Sequence, residues 1–150
     1  MSVTTETTSP RLIVPALRGI YSALHDSAET LLRLATGGFL ALHGSQKIVN
    51  PFGAAEMVEG LGFYPGAVWS LLLACTEFFG GIFIALGFLT RPSALAGLIV
   101  LLVTVWFHWI TMDQGISGAE KSILWSAMLF FFVIRGANRQ SVDARIGKAF

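Results

Sequence analysis

The sequence predicts an all-α membrane protein, a polytopic four-helix bundle with up-and-down antiparallel helices, and three observations predict it. Hydrophobic residues make up 54% of the 150 positions and glycine another 16, while charged residues reach only 13%, about half the usual share in a soluble domain. A chain of this size has too little interior to hide so much apolar surface, so a bilayer is the fitting solvent. Four stretches, 31–49, 67–89, 93–112 and 119–135, approach the ~20 apolar residues that cross a ~30 Å hydrocarbon core. The short link at Thr90, Arg91 and Pro92 makes its two flanking helices antiparallel neighbours. The same composition excludes other classes. A net charge of +1 without a Lys/Arg run does not suit nucleic acid. Cys75 is the single cysteine, which leaves no intrachain disulfide and no thiolate metal cluster.

Taken in order, residues 1–11 are Ser/Thr-rich and nearly without apolar surface, the composition of a mobile tail. From Leu12 to Leu24, Ile13, Leu17, Ile20 and Leu24 recur at helical spacing behind Pro15, the pattern of a short interfacial helix. Pro15 and Arg18 interrupt the apolar run that a secretory signal needs. The division is then a tail with this helix at 1–27, a four-span bundle at 28–136 and a cytoplasmic tail at 137–150. After the first span, Asn50–Gly53 makes a turn, and the loop 54–66 contains AAEMVEGLGF, readable as a short surface helix. Pro92 suits the start of the third span. Ser117 and Glu120 have capping-box spacing ahead of the fourth. Gly37 with Ala41, Gly81 with Ala85 and Ser93 with Gly97 are small pairs four apart, the kind that let helices approach closely in lipid.

Charge sets the orientation. With the amino end inside, eight of the ten Lys and Arg fall on the inner side, leaving Lys47 and Lys121 outside; this favours both termini in the cytoplasm. Tyr64, Trp69, Trp109 and Trp125 then lie in or near the opposite interface, where such rings are enriched.

The residues that resist the solvent are Arg33, His43, Lys47, Glu77, His108, Glu120 and Lys121. Intramembrane charges are costly, at about 2.5–3.5 kcal/mol for an Asp, Lys or Arg at a helix centre, and usually face the interior and pair. Glu77 lies near mid-span, too deep to reach water, so it either carries a proton or has a cationic or hydrogen-bonding partner. Helical rise sets His43 roughly 5 Å, His108 about 9 Å and Lys47 about 10 Å to the outer side of the centre, with Arg33 roughly 10 Å to the inner side. His43 and Lys47, four apart, share a face. His43, Glu77, His108, Lys47 and Glu120 thus form one candidate polar region, with Arg33 approaching Glu77 from below. Plainer roles stand beside this one. Arg33 pairs with Glu29 four residues earlier, Lys47 and Lys121 anchor at the interface, Glu120 caps a helix, and His108 is an interfacial histidine. No HxxxH or ExxH pair supports a metal site, and no motif supports haem, flavin or iron–sulfur binding.

LLRLATGGFLALHGSQKI, LGFYPGAVW, CTEFFGGIFIALGFLTRPSALAGLIVLL, a late histidine in the third span, a glutamate opening the fourth and a terminal SVDA occur in that order. Together they resemble the DoxX family of small four-helix membrane proteins, over about residues 30–145. The resemblance implies a bacterial cytoplasmic-membrane protein linked to quinone-associated redox complexes, including sulfur oxidation, and to oxidative, thiol or quinone stress. It places the family-like polar positions at Arg33, His43, Gly44, Lys47, Glu77, Arg91, His108 and Glu120. Pro92 departs from the commoner apolar residue there.

Three functions are compatible with these residues. In the first, a quinone-interacting redox subunit, a ring lies between helices against Arg33, His43, Lys47, Glu77 and His108, with Glu77 or Glu120 exchanging protons. No cofactor is held tightly, electrons come from partner redox subunits, and the chain is not an enzyme on its own. The second is a non-catalytic assembly or anchoring subunit whose charges fix helix register. The third is a small proton-coupled transporter, for which a homo-oligomer gives the needed size. The lipid bilayer is the common partner of all three.

Overall fold

The computed structural model describes residues 12–147. The tail expected at 1–11, and Lys148 of the carboxyl-terminal tail, lie outside the described residues. Within them a 3₁₀ turn at Pro15–Leu17 leads into α1, Arg18–Val49, followed by α2, Ala55–Gly60. Three longer helices follow, α3 Gly66–Leu86, α4 Thr90–Thr111 and α5 Gly115–Arg135, and then α6, Val142–Ile146. No strand forms among the described residues.

α3, α4 and α5 are the three helices there that are long and apolar enough to cross a membrane. α1 has the length, at 32 residues, but Arg18, Asp26, Glu29, Arg33 and Lys47 dilute its apolar face. The interfacial helix expected at Leu12–Leu24 is not separate. Pro15 occupies the opening turn, where its missing N–H costs nothing, and no second proline follows, so one helix runs through the expected boundary at residue 27.

The long helices close into a ring, α1 most extensively against α3, α3 against α4, α4 against α5, and α5 back against α1. Leu40 of α1, Ile84 of α3, Ala94 and Leu101 of α4, and Leu129 and Phe132 of α5 form the buried centre. Outward, Phe39, Leu42, Leu72, Ile99, Phe130 and Ile134 are each at least half exposed. Such a greasy exterior suits hydrocarbon rather than water, and the chain is a multi-pass membrane protein.

The small pairs seen in the sequence seat α1 on α3. Gly37 meets the backbone of Gly81 and Ala85, and Gly81 meets the backbone of Gly37 and Ala41. A turn further along α1, Gly44 lies against the backbone of Glu77 and Phe78. Numbers rise along α1 as they fall along α3, so these two helices run antiparallel. Trp125, expected at an interface, turns inward and its indole N–H donates to the Thr36 carbonyl at 3.3 Å.

Two helix starts differ from expectation. α5 begins at Gly115, after Gln114, so Ser117 is already inside the first turn and makes no capping box with Glu120. α4 begins at Thr90, ahead of Pro92, because Asp143 caps it from 53 residues away. Its carboxylate accepts the Leu89 N–H at 2.9 Å, the Thr90 N–H at 3.1 Å and the Thr90 hydroxyl at 3.0 Å. Leu89 sits at φ 47°, a left-handed conformation that costs a non-glycine residue roughly 1–2 kcal/mol, which those bonds offset. Of the tail expected at 137–150, the described part, 137–147, is therefore docked through α6, with the Asp143 N–H donating to the Gly87 carbonyl at 2.8 Å. Asp143→Ala is expected to lower stability by about 0.5–2 kcal/mol, the range for a lost helix cap. Thermal unfolding in detergent, with faster proteolysis near residue 140, checks this.

Candidate functional site

The site forms where α1 and α3 come closest. Gly44 has no side chain to hold the helices apart, and Lys47, three residues on, shares its face. Its ammonium therefore reaches Glu77, donating to Oε1 at 2.6 Å. Glu77 is buried, with a side chain 2% exposed against 32% for Lys47. The second carboxylate oxygen, Oε2, is buried with no hydrogen-bond partner. Buried polar atoms are almost always satisfied, so this oxygen is an open hydrogen-bonding position deep in an apolar bundle.

Glu77 lies in a π-helical turn, Thr76–Gly80, inside α3. His108 lies in a second, Phe107–Thr111, at the end of α4. Such turns are rare, insert a residue into the helical register and recur at functional sites. His108 Nδ1 is 2.9 Å from the Thr104 carbonyl. A carbonyl only accepts, so Nδ1 carries the hydrogen, and Nε2 is the free acceptor of the neutral ring.

The single polar region expected from the sequence does not assemble as drawn. Lys47, rather than Arg33 or a histidine, answers Glu77. Among the described residues no hydrogen bond or ion pair joins Arg33, His43, His108 or Glu120 to Glu77. His43 is exposed, one position around α1 from the Glu77 side, and its ring centroid lies 6.4 Å from that of Trp125. Glu120 and Lys121 are exposed on α5.

Arg33 turns to the opposite end of the bundle. It is buried, donating from its guanidinium to Asn138 Oδ1 at 3.3 Å and to the Gln140 carbonyl at 2.9 Å. Asn138 donates to the Asp26 carbonyl at 2.7 Å and to Thr30 at 2.8 Å. Glu29, its expected helical partner, lies 3.7 Å from Arg135. Sequence reading singled out neither π-turn, nor Asn138, Gln140 and Asp143 as a unit. The signal was the polar run after Arg135, which looks like a solvated tail until the fold returns it to α1 and α4. No three of His, Cys, Asp and Glu gather as a metal site among the described residues.

The DoxX family model matches residues 28–109, a stretch that holds Arg33, Lys47, Glu77 and both histidines discussed above. No curated protein and no solved structure shows a match to the chain. Since more than half of the sequence follows the family pattern, and does so through the helices that build the Lys47–Glu77 site, the protein belongs to the DoxX family.

Proposed function

We propose that this protein is a quinone-interacting accessory subunit of a membrane redox or oxidative-stress system. In this reading it is a four-span, up-and-down bundle in the bacterial cytoplasmic membrane, with α1 as the first span and both termini cytoplasmic. Supporting that topology, Gly87–Leu89 and Met112–Gln114 are links of three residues, which place consecutive helices side by side and antiparallel. The Lys/Arg excess at the Arg91, Arg135, Arg139 and Arg145 end favours that end as the cytoplasmic one.

The observation that carries the functional reading is the unpartnered, buried Glu77 Oε2 beside a charged Lys47. A quinone ring supplies two-electron, two-proton redox chemistry when bound. Lys47 would donate to a ring oxygen, and Glu77 would hold or release a proton at Oε2. His108, with Nε2 free as an acceptor, is the second proton-holding group on the neighbouring helix. The electron donors are partner subunits, so the chain alone is not an oxidoreductase.

Titrating the purified protein with a short-chain ubiquinone or menaquinone analogue tests this. Saturable binding is expected, weakened roughly 10–100-fold by Glu77→Gln, the range for losing a hydrogen bond to a charged group. Binding that is absent, or that Glu77→Gln leaves unchanged in a folded protein, counts against it. The seating of Gly44 on the Glu77 backbone favours a second reading, in which the ion pair only fixes helix register in an assembly subunit. That reading expects Glu77→Gln to reduce recovery of the complex without any ligand effect.

A further inference from the structure

At the Arg135 end of the bundle, away from Glu77, a hollow of about 360 Å³ opens between α1, the end of α5 and α6. Its lining includes two acids, Glu29 and Asp143, and two bases, Arg135 and Arg139. Asp143 is engaged in capping α4. Glu29 is not fully engaged. Its side chain is 6% exposed, Oε2 lies 3.7 Å from Arg135, and Oε1 is buried without a partner. Arg139 is exposed at the rim.

From this arrangement we propose that the hollow binds a phosphoethanolamine group, with its phosphate on Arg135 and Arg139 and its ammonium on Glu29. Two acids and two bases sum to no net charge, which suits a zwitterion better than an anion. The free Glu29 oxygen needs an N–H donor, which a primary ammonium has and a quaternary choline lacks. Guanidinium groups match phosphate oxygens in geometry as well as charge. The volume lies at the small end of ligand sites, which run from about 300 Å³ upward. Arg135 ends an apolar span, so the hollow sits at headgroup depth, where a lipid reaches it from the bilayer.

The test uses the full chain in detergent with added phosphatidylethanolamine, phosphatidylcholine or phosphatidylglycerol of identical acyl chains, read by lipid retention in native mass spectrometry and by thermal stability. Phosphatidylethanolamine is expected to be retained roughly tenfold better than either of the others. Arg139→Gln, at an exposed position where the fold is indifferent, and Glu29→Gln should both abolish the preference. Competition by soluble phosphoethanolamine assigns the site to the free compound, and preference without competition assigns it to the lipid. Equal retention of all three lipids, a preference for phosphatidylglycerol, or a preference that survives Arg139→Gln overturns the proposal.

Discussion

Lys47→Met is expected to destabilise the protein by about 3–5 kcal/mol, the range for stripping one partner from a buried ion pair. Glu77→Gln should cost distinctly less, about 1–2 kcal/mol. The asymmetry follows from burial. Glu77 is 2% exposed and Lys47 is 32% exposed. Without Lys47 the carboxylate is left in an apolar interior with neither oxygen answered, since Oε2 already lacks a partner. Without the carboxylate, the long lysine stem can carry its ammonium from the last turn of α1 toward the interface. The double variant should recover most of the Lys47→Met loss, because no uncompensated charge remains. Unfolding of the four proteins in mixed detergent micelles measures the cycle. Equal losses from the two single variants would show that the pair is not the asymmetric, buried contact described above.

Gly81→Val should be the other severe substitution, with a cost of about 1–3 kcal/mol or more from overpacking. A Cβ at residue 81 meets the backbone of Gly37 and Ala41 rather than a flexible side chain, so the helices must separate. Separation strips contacts along the whole seam and draws Lys47 away from Glu77, so the quinone binding proposed at that pair should fall with stability. Gly38→Val is the control, because nothing lies within 4 Å of a Cβ there. Thermal stability of the two variants side by side gives the answer. A Gly81→Val protein as stable as Gly38→Val would mean that α1 and α3 do not pack through these glycines.

Much of this was legible in the sequence. The small pairs Gly37/Ala41 and Gly81/Ala85 were readable as packing residues because spacing of four marks one helix face, and the structure interlocks those two pairs. Glu77 stood out because a carboxylate ten residues into an apolar run has no cheap place to go. The identity of its partner was not readable. Depth arithmetic places Arg33, His43 and Lys47 along the axis of α1, but it says nothing about the rotation of that axis, and rotation is set by Gly37 and Gly44 meeting the α3 backbone. The start of α4 was misread for a related reason. Thr90–Arg91–Pro92 looks like a link when taken locally, and becomes a first turn because Asp143 supplies the missing acceptors.

The amino-acid sequence by itself determined the solvent of this protein, the long apolar helices and the faces on which they approach. Those properties sum over neighbouring residues, through transfer free energy and the 3.6-residue period. Only the tertiary structure decided that Lys47 answers Glu77, that Arg33 leaves it for Asn138 and Gln140, and that residues 137–147 close the far end of the bundle. Each of these is a match between atoms on separate helices, and a few ångströms of register or rotation, which no single stretch of chain specifies, changes which atoms meet.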